Sequence, residues 1–387
     1  SYLQENISGM NVVQLFNREK RNMKQFDTFN ESHLEAHLRT IFYFAIFFPT
    51  IELISAIAVA LIVWYGGVNY AAGSVTFGVL IAFIQYARRF FRPISDLSEK
   101  YNILQAAMAS SERIFKIMDE KPVIKNSPTA IPLNNVRGEI EFKNVWFAYK
   151  NKSDDEPDYV LKDVSFKVNP GEKIAIVGYT GAGKTTIISL LSRFYDIQKG
   201  QILVDGKDIR DYEISSLRSH VGVVLQDVFL FAGDIESNIK LGNKHISDQQ
   251  MIQAAKDVHV DHFIGKLPQT YKEEVKERGS TFSVGQKQLL SFARALAFNP
   301  DILILDEATS SVDTETELLI QDALIRLMEN RTSLIIAHRL STIKNCDRII
   351  VLHKGEIREI GSHHELLQKK GIYSRLYQLQ YATQEAA

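Results

Sequence analysis

The order of apolar and polar residues divides the chain into two halves with different periods. Up to about residue 40 polar residues dominate, and Leu3, Ile7, Val12, Leu15 and Phe16 recur among them at helical spacing. This predicts an amphipathic helix interrupted at Gly9. From Ile41 to Gly67 the chain is almost wholly apolar or aromatic, carries no basic residue and has one charge, Glu52. It exceeds the roughly 20 residues that a bilayer crossing needs. Pro49 should kink this helix, and Trp64 and Tyr65 suit an interfacial belt at one end. A short turn is expected from Gly66-Gly67 to Gly73-Ser74. Val75 to Tyr86 is a second apolar run, extended by Phe90 and Phe91 past Arg88 and Arg89. Alone it is short for a crossing; beside the first run it reads as the return arm of a helical hairpin. Arg88, Arg89 and Arg92 then mark the cytoplasmic side, where Arg18, Lys20, Arg21 and Lys24 also fall. Ser95 to Met118 continues as a helix leaving the membrane, and Pro122 to Pro132 is a linker.

Beyond residue 138 the period shortens. Gly138 to Val168 alternates strand-like runs with turns, and Lys173-Ile174-Ala175-Ile176-Val177 is a short buried strand. A hairpin is expected around Asp205-Gly206, and an apolar strand ends at Gln226. Phe229 to Ala297 is helix-rich. Two more apolar strands, Ile302 to Leu305 and Ser333 to Ala337, precede helices between Gly361 and Gln380.

Composition narrows the classes. The 387 residues suffice for two or three domains. The net charge of −1, with 45% hydrophobic residues, gives no sign of a nucleic-acid footprint. The single cysteine, Cys346, excludes a disulfide framework and suggests a reducing compartment. Residue 1 is serine and no signal peptide precedes it, so the sequence is expected to be a fragment or a processed chain.

The chemistry lies in Gly178-Tyr179-Thr180-Gly181-Ala182-Gly183-Lys184-Thr185, which fits G-x-x-x-x-G-K-[ST], the phosphate-binding loop. It sits between the Lys173–Val177 strand and a helix beginning near Thr186. Glycines let backbone N–H groups turn inward onto phosphate oxygens. The helix N-terminus adds unpaired donors and a favourable dipole. Lys184 would reach the β- and γ-phosphates of ATP, and the Thr185 hydroxyl would ligate Mg²⁺. A second strand, Ile302 to Leu305, ends in Asp306 and Glu307. Asp306 would hold Mg²⁺, mostly through water, and Glu307 would polarise the attacking water.

With Phe282-Ser283-Val284-Gly285-Gln286 the sequence becomes more specific: this segment is similar to the LSGGQ signature, and the chain resembles ATP-binding cassette (ABC) proteins from about Gly138 to Tyr377. The other marks stand in order. Tyr149 matches the aromatic that stacks on adenine, Gln226 the Q-loop, Ser310 to Asp313 the D-loop, and His338 the switch histidine. The resemblance implies ATP contacts from Gly178, Thr180, Gly181, Ala182, Gly183, Lys184, Thr185, Thr186 and Tyr149. Across a dimer it implies contacts from Ser283, Gly285, Gln286 and Asp313. It implies Mg²⁺ ligation by Thr185, Gln226 and Asp306, and catalysis by Glu307, His338, Lys184 and Gln226. Phe282 and Val284 replace the leucine and first glycine of the signature. Lys276 stands where a glycine is common, in a segment (Glu273 to Gly279) similar to the exporter loop that touches coupling helices. Ser8 to Phe16 resembles the second intracellular loop of ABC exporters.

The expected fold is thus an α/β P-loop NTPase domain (RecA-like core, antiparallel β subdomain, α-helical subdomain) preceded by a partial α-helical transmembrane domain. The expected boundaries are 1–118 for the membrane part, 119–137 for the linker and 138–387 for the nucleotide-binding domain. The resemblance implies an ATP-hydrolysing exporter subunit in the cell membrane, with its nucleotide domain in the cytoplasm. Its partner would be a second half-transporter, a copy of itself being favoured over a different chain, and its cargo is not specified by these motifs. A soluble ABC ATPase of DNA repair or translation, and a regulatory half of a heterodimer, are the rival readings. The apolar hairpin argues against the first, and the presence of both Glu307 and His338 against the second.

Overall fold

The computed structural model describes residues 2–149, 158–306, 314–337 and 340–380. The chain divides at Lys121/Pro122 into two compact units.

The first unit is helical: α1 (Tyr2–Ser8), α2 (Met10–Leu15), α3 (Glu19–Ala71) and α4 (Phe77–Met118). Gly9 breaks the amphipathic segment as its position predicts, and Asn17, at φ 50°, turns the chain into α3. The Tyr2 hydroxyl donates to the Asn22 carbonyl at 3.0 Å and Asn22 donates to Asn6 Oδ1 at 2.6 Å, holding α1 against the start of α3. The helix α3 runs for 53 residues. Among the described residues it alone is long and apolar enough to cross a bilayer, by length and composition. The turn expected at Gly66-Gly67 comes later: α3 continues to Ala71, and Gly73 (φ 69°) makes the reversal. Gly66 serves a close approach instead, because a Cβ there would stand 2.5 Å from Leu80 Cδ1 of α4. Pro93 lies inside α4, which runs unbroken from the apolar run through the predicted Ser95–Met118 helix.

The second unit contains β1 (Ile140–Phe147), β2 (Leu161–Val168), β3 (Lys173–Val177), α5 (Lys184–Leu191), β4 (Lys199–Val204), β5 (Lys207–Asp208), α6 (Ile214–His220) and β6 (Val221–Val224). It continues with β7 (Gly233–Asp234), α7 (Ile235–Lys240), α8 (Asp248–Asp257), α9 (Asp261–Ile264), β8 (Glu274–Val275), α10 (Val284–Phe298) and β9 (Ile302–Asp306). Last come α11 (Thr314–Leu327), β10 (Thr332–Ile336), α12 (Leu340–Lys344), β11 (Arg348–His353), β12 (Glu356–Gly361), α13 (His363–Gln368) and α14 (Ile372–Gln380). A six-stranded sheet has the order β12-β11-β3-β10-β9-β6, parallel except at β12. Its interior strand β9 is an apolar run up to Asp306 and β10 is buried along its whole length, because both faces are covered. A four-stranded antiparallel sheet, β2-β1-β4-β5, lies apart from it and includes the hairpin expected at Asp205-Gly206. One hydrophobic core joins the antiparallel sheet to one face of the main sheet and α5, with Phe142, Ile174 and Ile187 inside. The other packs α7, α8, α10 and α11 on the opposite face around Phe292, Leu305 and Ile335.

The Pro122–Pro132 segment is fastened to the second unit by polar bonds. Arg193, almost fully buried, donates to the Lys125 carbonyl at 3.1 Å. The Ile214 N–H donates to Asn126 Oδ1 at 2.8 Å, and the Ile131 N–H to the Asp211 carbonyl at 3.0 Å.

The turn entering β3 is set by Glu172. Its carboxylate accepts from Arg348 Nη2 at 2.9 Å and from the Asn169 N–H at 2.8 Å, and Arg348 Nε bonds it as well. Burial pushes the Glu172 carboxyl up, but the hydrogen bonds from Arg348 and Asn169 outweigh it and hold its pKa below the usual value of 4.5. A depressed carboxylate contributes stability above its unfolded pKa and loses it as pH falls through the folded pKa. Glu172→Gln is therefore expected to cost about 1–2 kcal/mol at neutral pH. The difference from the native chain should shrink below about pH 4, as read by urea unfolding at both pH values.

Candidate functional site

Register brings the ends of the parallel strands to one level. Ile336 pairs with Ile176 on one side and with Asp306 on the other, Val224 pairs with Leu305, and Val351 with Val177. The residues that follow these strands therefore emerge along one carboxyl edge, the side on which open α/β sheets hold ligands. Gly178 follows Val177 there, and Gln226 follows Val224 by two residues. Asp306 is itself the last residue of β9.

The phosphate-binding loop is shaped by its glycines and by the turn between β11 and β12. Gly183, at φ 102°, is the N-cap of α5, and a Cβ there would meet Leu161 Cδ2 at 2.7 Å. A Cβ on Gly178 would stand 2.2 Å from the Leu352 carbonyl oxygen. The Gly355 N–H donates to the Ala182 carbonyl at 3.1 Å, closing the loop from behind. Lys184 is 8% exposed. Its ammonium donates to the Gly178 carbonyl at 2.7 Å and to the Tyr179 carbonyl at 3.2 Å, so the side chain folds back over its own loop. Thr180, Gly181 and Thr185 are exposed, while Ala182 and Thr186 are buried. A glycine-shaped loop, one ammonium and the exposed Thr185 at a helix N-terminus fit a polyphosphate.

Electrostatics tie the two sequence motifs together. Burial pushes the Lys184 ammonium below its ordinary pKa, and the Asp306 carboxylate opposes that. Burial likewise pushes Asp306 up, Lys184 pulls it back, and Asp227 pushes it further. A buried ammonium and a partly buried carboxylate thus act on each other electrostatically. Asp227 adds negative charge that the motif reading did not single out, although it stands next to Gln226. Gln226 itself is exposed at the strand end. Among the described residues no group of three or more His, Cys, Asp or Glu side chains could hold a metal ion. The oxygens that are present (the Thr185 hydroxyl, the Asp306 carboxylate and the Gln226 amide) fit Mg²⁺, a hard cation that keeps waters and phosphate oxygens in its shell.

On the other side of α5, the Tyr149 hydroxyl lies 3.0 Å from Thr186 Oγ1. Its ring meets Phe147 at 4.9 Å and Tyr195 at 5.1 Å, both nearly edge-on, which fixes its plane while leaving it half-exposed. Tyr195 escaped the sequence reading, although Arg193-Phe194-Tyr195 follows α5 directly. Tyr179, inside the loop, packs edge-on against His353 at 6.2 Å and was also passed over.

The signature segment forms the start of α10. Ser283 is its N-cap: Ser283 Oγ accepts from the Gln286 N–H at 3.2 Å, and Gln286 Oε1 accepts from the Ser283 N–H at 2.9 Å. This capping box leaves the Ser283 hydroxyl hydrogen available to an outside acceptor. Gly285 is buried and Val284 points outward, 55% exposed. Phe282 packs partly into the helical core beside Phe263. Glu307, Ser310 to Asp313 and His338 lie outside the described residues.

Gly178→Ala probes the loop's support. Leu352 belongs to β11, which is paired on both sides, so the loop rather than the carbonyl must move. The substitution should cost about 3 kcal/mol of stability and at least about tenfold in ATP affinity. Urea unfolding and titration with a fluorescent nucleotide measure the two effects.

A parallel sheet whose first strand runs into this loop and helix, with a carboxylate closing the strand two places along, defines a P-loop nucleotide-binding domain. Family comparison carries the assignment further. Residues 161–310 match the ABC transporter family and residues 1–94 the ABC transporter transmembrane region. An uncharacterized ABC transporter ATP-binding protein, YknV of Bacillus subtilis (strain 168), is 47% identical over 99% of this chain and 63% of its own length. A fatty acid ABC transporter ATP-binding/permease protein of Mycobacterium tuberculosis is 43% identical over 97% of this chain and 58% of its own. The solved structure of a bacterial Atm1-family ABC exporter with ATP bound aligns with TM-score 0.81 at 34% identity, over 98% of this chain and 66% of that one. The chain belongs to the ABC transporter family, and it spans less than two thirds of the length of these relatives. It is a membrane protein with a cytoplasmic ATP-binding domain.

Proposed function

We propose that the protein is the ATP-hydrolysing half of an ABC exporter, working as a dimer and converting MgATP binding and hydrolysis into movement of a substrate across the membrane. The observation that carries this is the phosphate-binding loop at the carboxyl edge of the parallel sheet, with Lys184 buried in it, in a chain whose other unit matches a transporter membrane region. The resemblance of its relatives' names and of the ATP-bound exporter fold supports the same reading.

In this account the Gly178–Thr186 loop wraps the phosphates and Lys184 turns from its own carbonyls onto the β- and γ-phosphate oxygens. Tyr149 presents its fixed ring to the adenine. Asp306, Thr185 and Gln226 would hold Mg²⁺, which would supply charge neutralisation at the phosphates. Glu307 takes the proton side of the attacking water, His338 holds the γ-phosphate, and hydrolysis is an in-line displacement at phosphorus. Ser283, Gly285 and Gln286 of one subunit meet the γ-phosphate held by the other, where the α10 dipole and the free hydroxyl hydrogen favour an anion. Asp313 would contribute to the same dimer contact. ATP then cross-links two nucleotide domains, and hydrolysis releases them. The segment near residues 5–14, in α1 and α2, would pass that motion to the membrane helices.

The protein reconstituted in liposomes should hydrolyse MgATP, and EDTA should abolish turnover. Phosphate release that persists at the same rate without divalent cation, or no hydrolysis in any lipid, would sink the proposal.

A further inference from the structure

The residues that leave α5 hold the end of β1 at two points. β1 finishes at Phe147, and its pairing with β2 and β4 goes no further. At the next residue the Gln198 side chain takes over the ladder. Gln198 Nε2 donates to the Ala148 carbonyl at 2.8 Å, and Gln198 Oε1 accepts from the Ala148 N–H at 2.9 Å. An amide that donates and accepts in this way stands in for one residue of a neighbouring strand. The Gln198 N–H also donates to the Trp146 carbonyl at 3.2 Å. Tyr149 comes directly after Ala148, so the clamp sets where its side chain starts. Three residues before Gln198, the Tyr195 ring stands at 89° to that of Tyr149, with centroids 5.1 Å apart. Tyr195 also meets the buried Phe147 ring at 5.6 Å, while Tyr149 and Tyr195 are both exposed. A ring at the surface changes rotamer unless contacts on its edges stop it. The holding segment is itself pinned, because the buried Arg193 donates to Asp196 Oδ1 at 3.1 Å. One helix therefore carries the phosphate loop before it and the holder of Tyr149 behind it.

We propose that Tyr195 and Gln198 are positioning residues for the base of the nucleotide: Gln198 fixes the backbone that presents Tyr149, and Tyr195 stops its ring. Neither touches the reacting phosphates. The inference rests on the reading of Tyr149 as the adenine platform, and it deepens that reading by naming what holds the platform in place. Stacking on a tyrosine face is tolerant of base identity, so ATP and GTP should depend on the two residues alike. A triphosphate without a base should not depend on them.

The test compares MgATP with magnesium tripolyphosphate, which has the phosphates and no base. Binding of each to the whole chain in nanodiscs is measured by calorimetry, and MgATP hydrolysis is followed in the same preparations. Tyr195→Ala and Gln198→Ala should each weaken MgATP binding about three- to tenfold. Tripolyphosphate binding should stay within about twofold of native, and KM for ATP should rise while kcat holds. Tyr195→Phe keeps the ring and should bind MgATP as the native chain does. Tyr149→Ala should weaken MgATP at least about fivefold, and adding Tyr195→Ala or Gln198→Ala to it should weaken MgATP no further. Equal weakening of both ligands overturns the inference, because the two residues would then support the phosphate loop and not the platform. A further loss of MgATP binding in the Tyr149→Ala background also overturns it, because the residue would then act on the nucleotide by another route. Native MgATP binding by Tyr149→Ala tells against the adenine-platform reading itself. Weakened binding by Tyr149→Ala beside native binding by Tyr195→Ala and Gln198→Ala overturns this inference alone.

Discussion

Lys184→Ala is expected to lower ATP hydrolysis at least about 100-fold, the size of effect seen when one preorganised charge-stabilising donor is removed. It should also lower ATP affinity at least about tenfold, because a point charge on the β- and γ-phosphates is lost. The structure adds a second expectation. Burial already disfavours the Lys184 ammonium, whose bonds are to its own loop carbonyls. Removing it should leave the melting temperature of the nucleotide-free protein within a few degrees of native. The melting shift produced by MgATP in the native protein should then be absent, because ligand stabilisation follows affinity. Without Lys184 the Asp306 carboxyl also loses the charge that pulls its pKa down, so it should rise further and titrate in a higher pH window. A differential scanning measurement with and without MgATP, joined to a phosphate-release assay, reads all of this.

Glu307→Gln should separate binding from turnover. The substitution keeps size and hydrogen bonding but removes the base, so hydrolysis should fall about 100-fold to 10,000-fold. ATP affinity should stay within a few-fold of native, since neither Lys184 nor the loop is touched. Single-turnover hydrolysis beside equilibrium nucleotide binding distinguishes the two quantities. Near-native hydrolysis would remove Glu307 from the role of base.

The parts of this molecule that a linear reading reaches are those whose signal is local. Lys173 to Val177 and Ile302 to Leu305 read as buried strands because two covered faces demand an apolar run, and both are interior strands of the sheet. The loop between β3 and α5 is legible because its glycines and Lys184 must be adjacent in sequence. Long-range partners leave no such trace. The Leu352 carbonyl that confines Gly178 lies far along the chain, in a strand with an ordinary apolar pattern. The hydrogen bonds from Arg193 to Lys125 and from Ile214 to Asn126 make a proline-containing linker into a docked strap, yet its composition alone reads as a tether. Gly66 misled in a different way. A glycine pair signals a turn in water, but between packed helices it permits Leu80 of α4 to approach, and α3 continues to Ala71. Asp227 shows the same limit at the site, since its influence on Asp306 depends on β6 and β9 being neighbours.

The central claim is that one subunit's phosphate loop and another's signature close on the same ATP. Its most direct test is the mass of the second unit, residues 122–387 carrying Glu307→Gln, measured by light scattering with and without MgATP. The account predicts a monomer that becomes a dimer when MgATP is added and returns to monomer when Ser283→Arg blocks the start of α10. A protein that binds MgATP and stays monomeric at every concentration tested would contradict it.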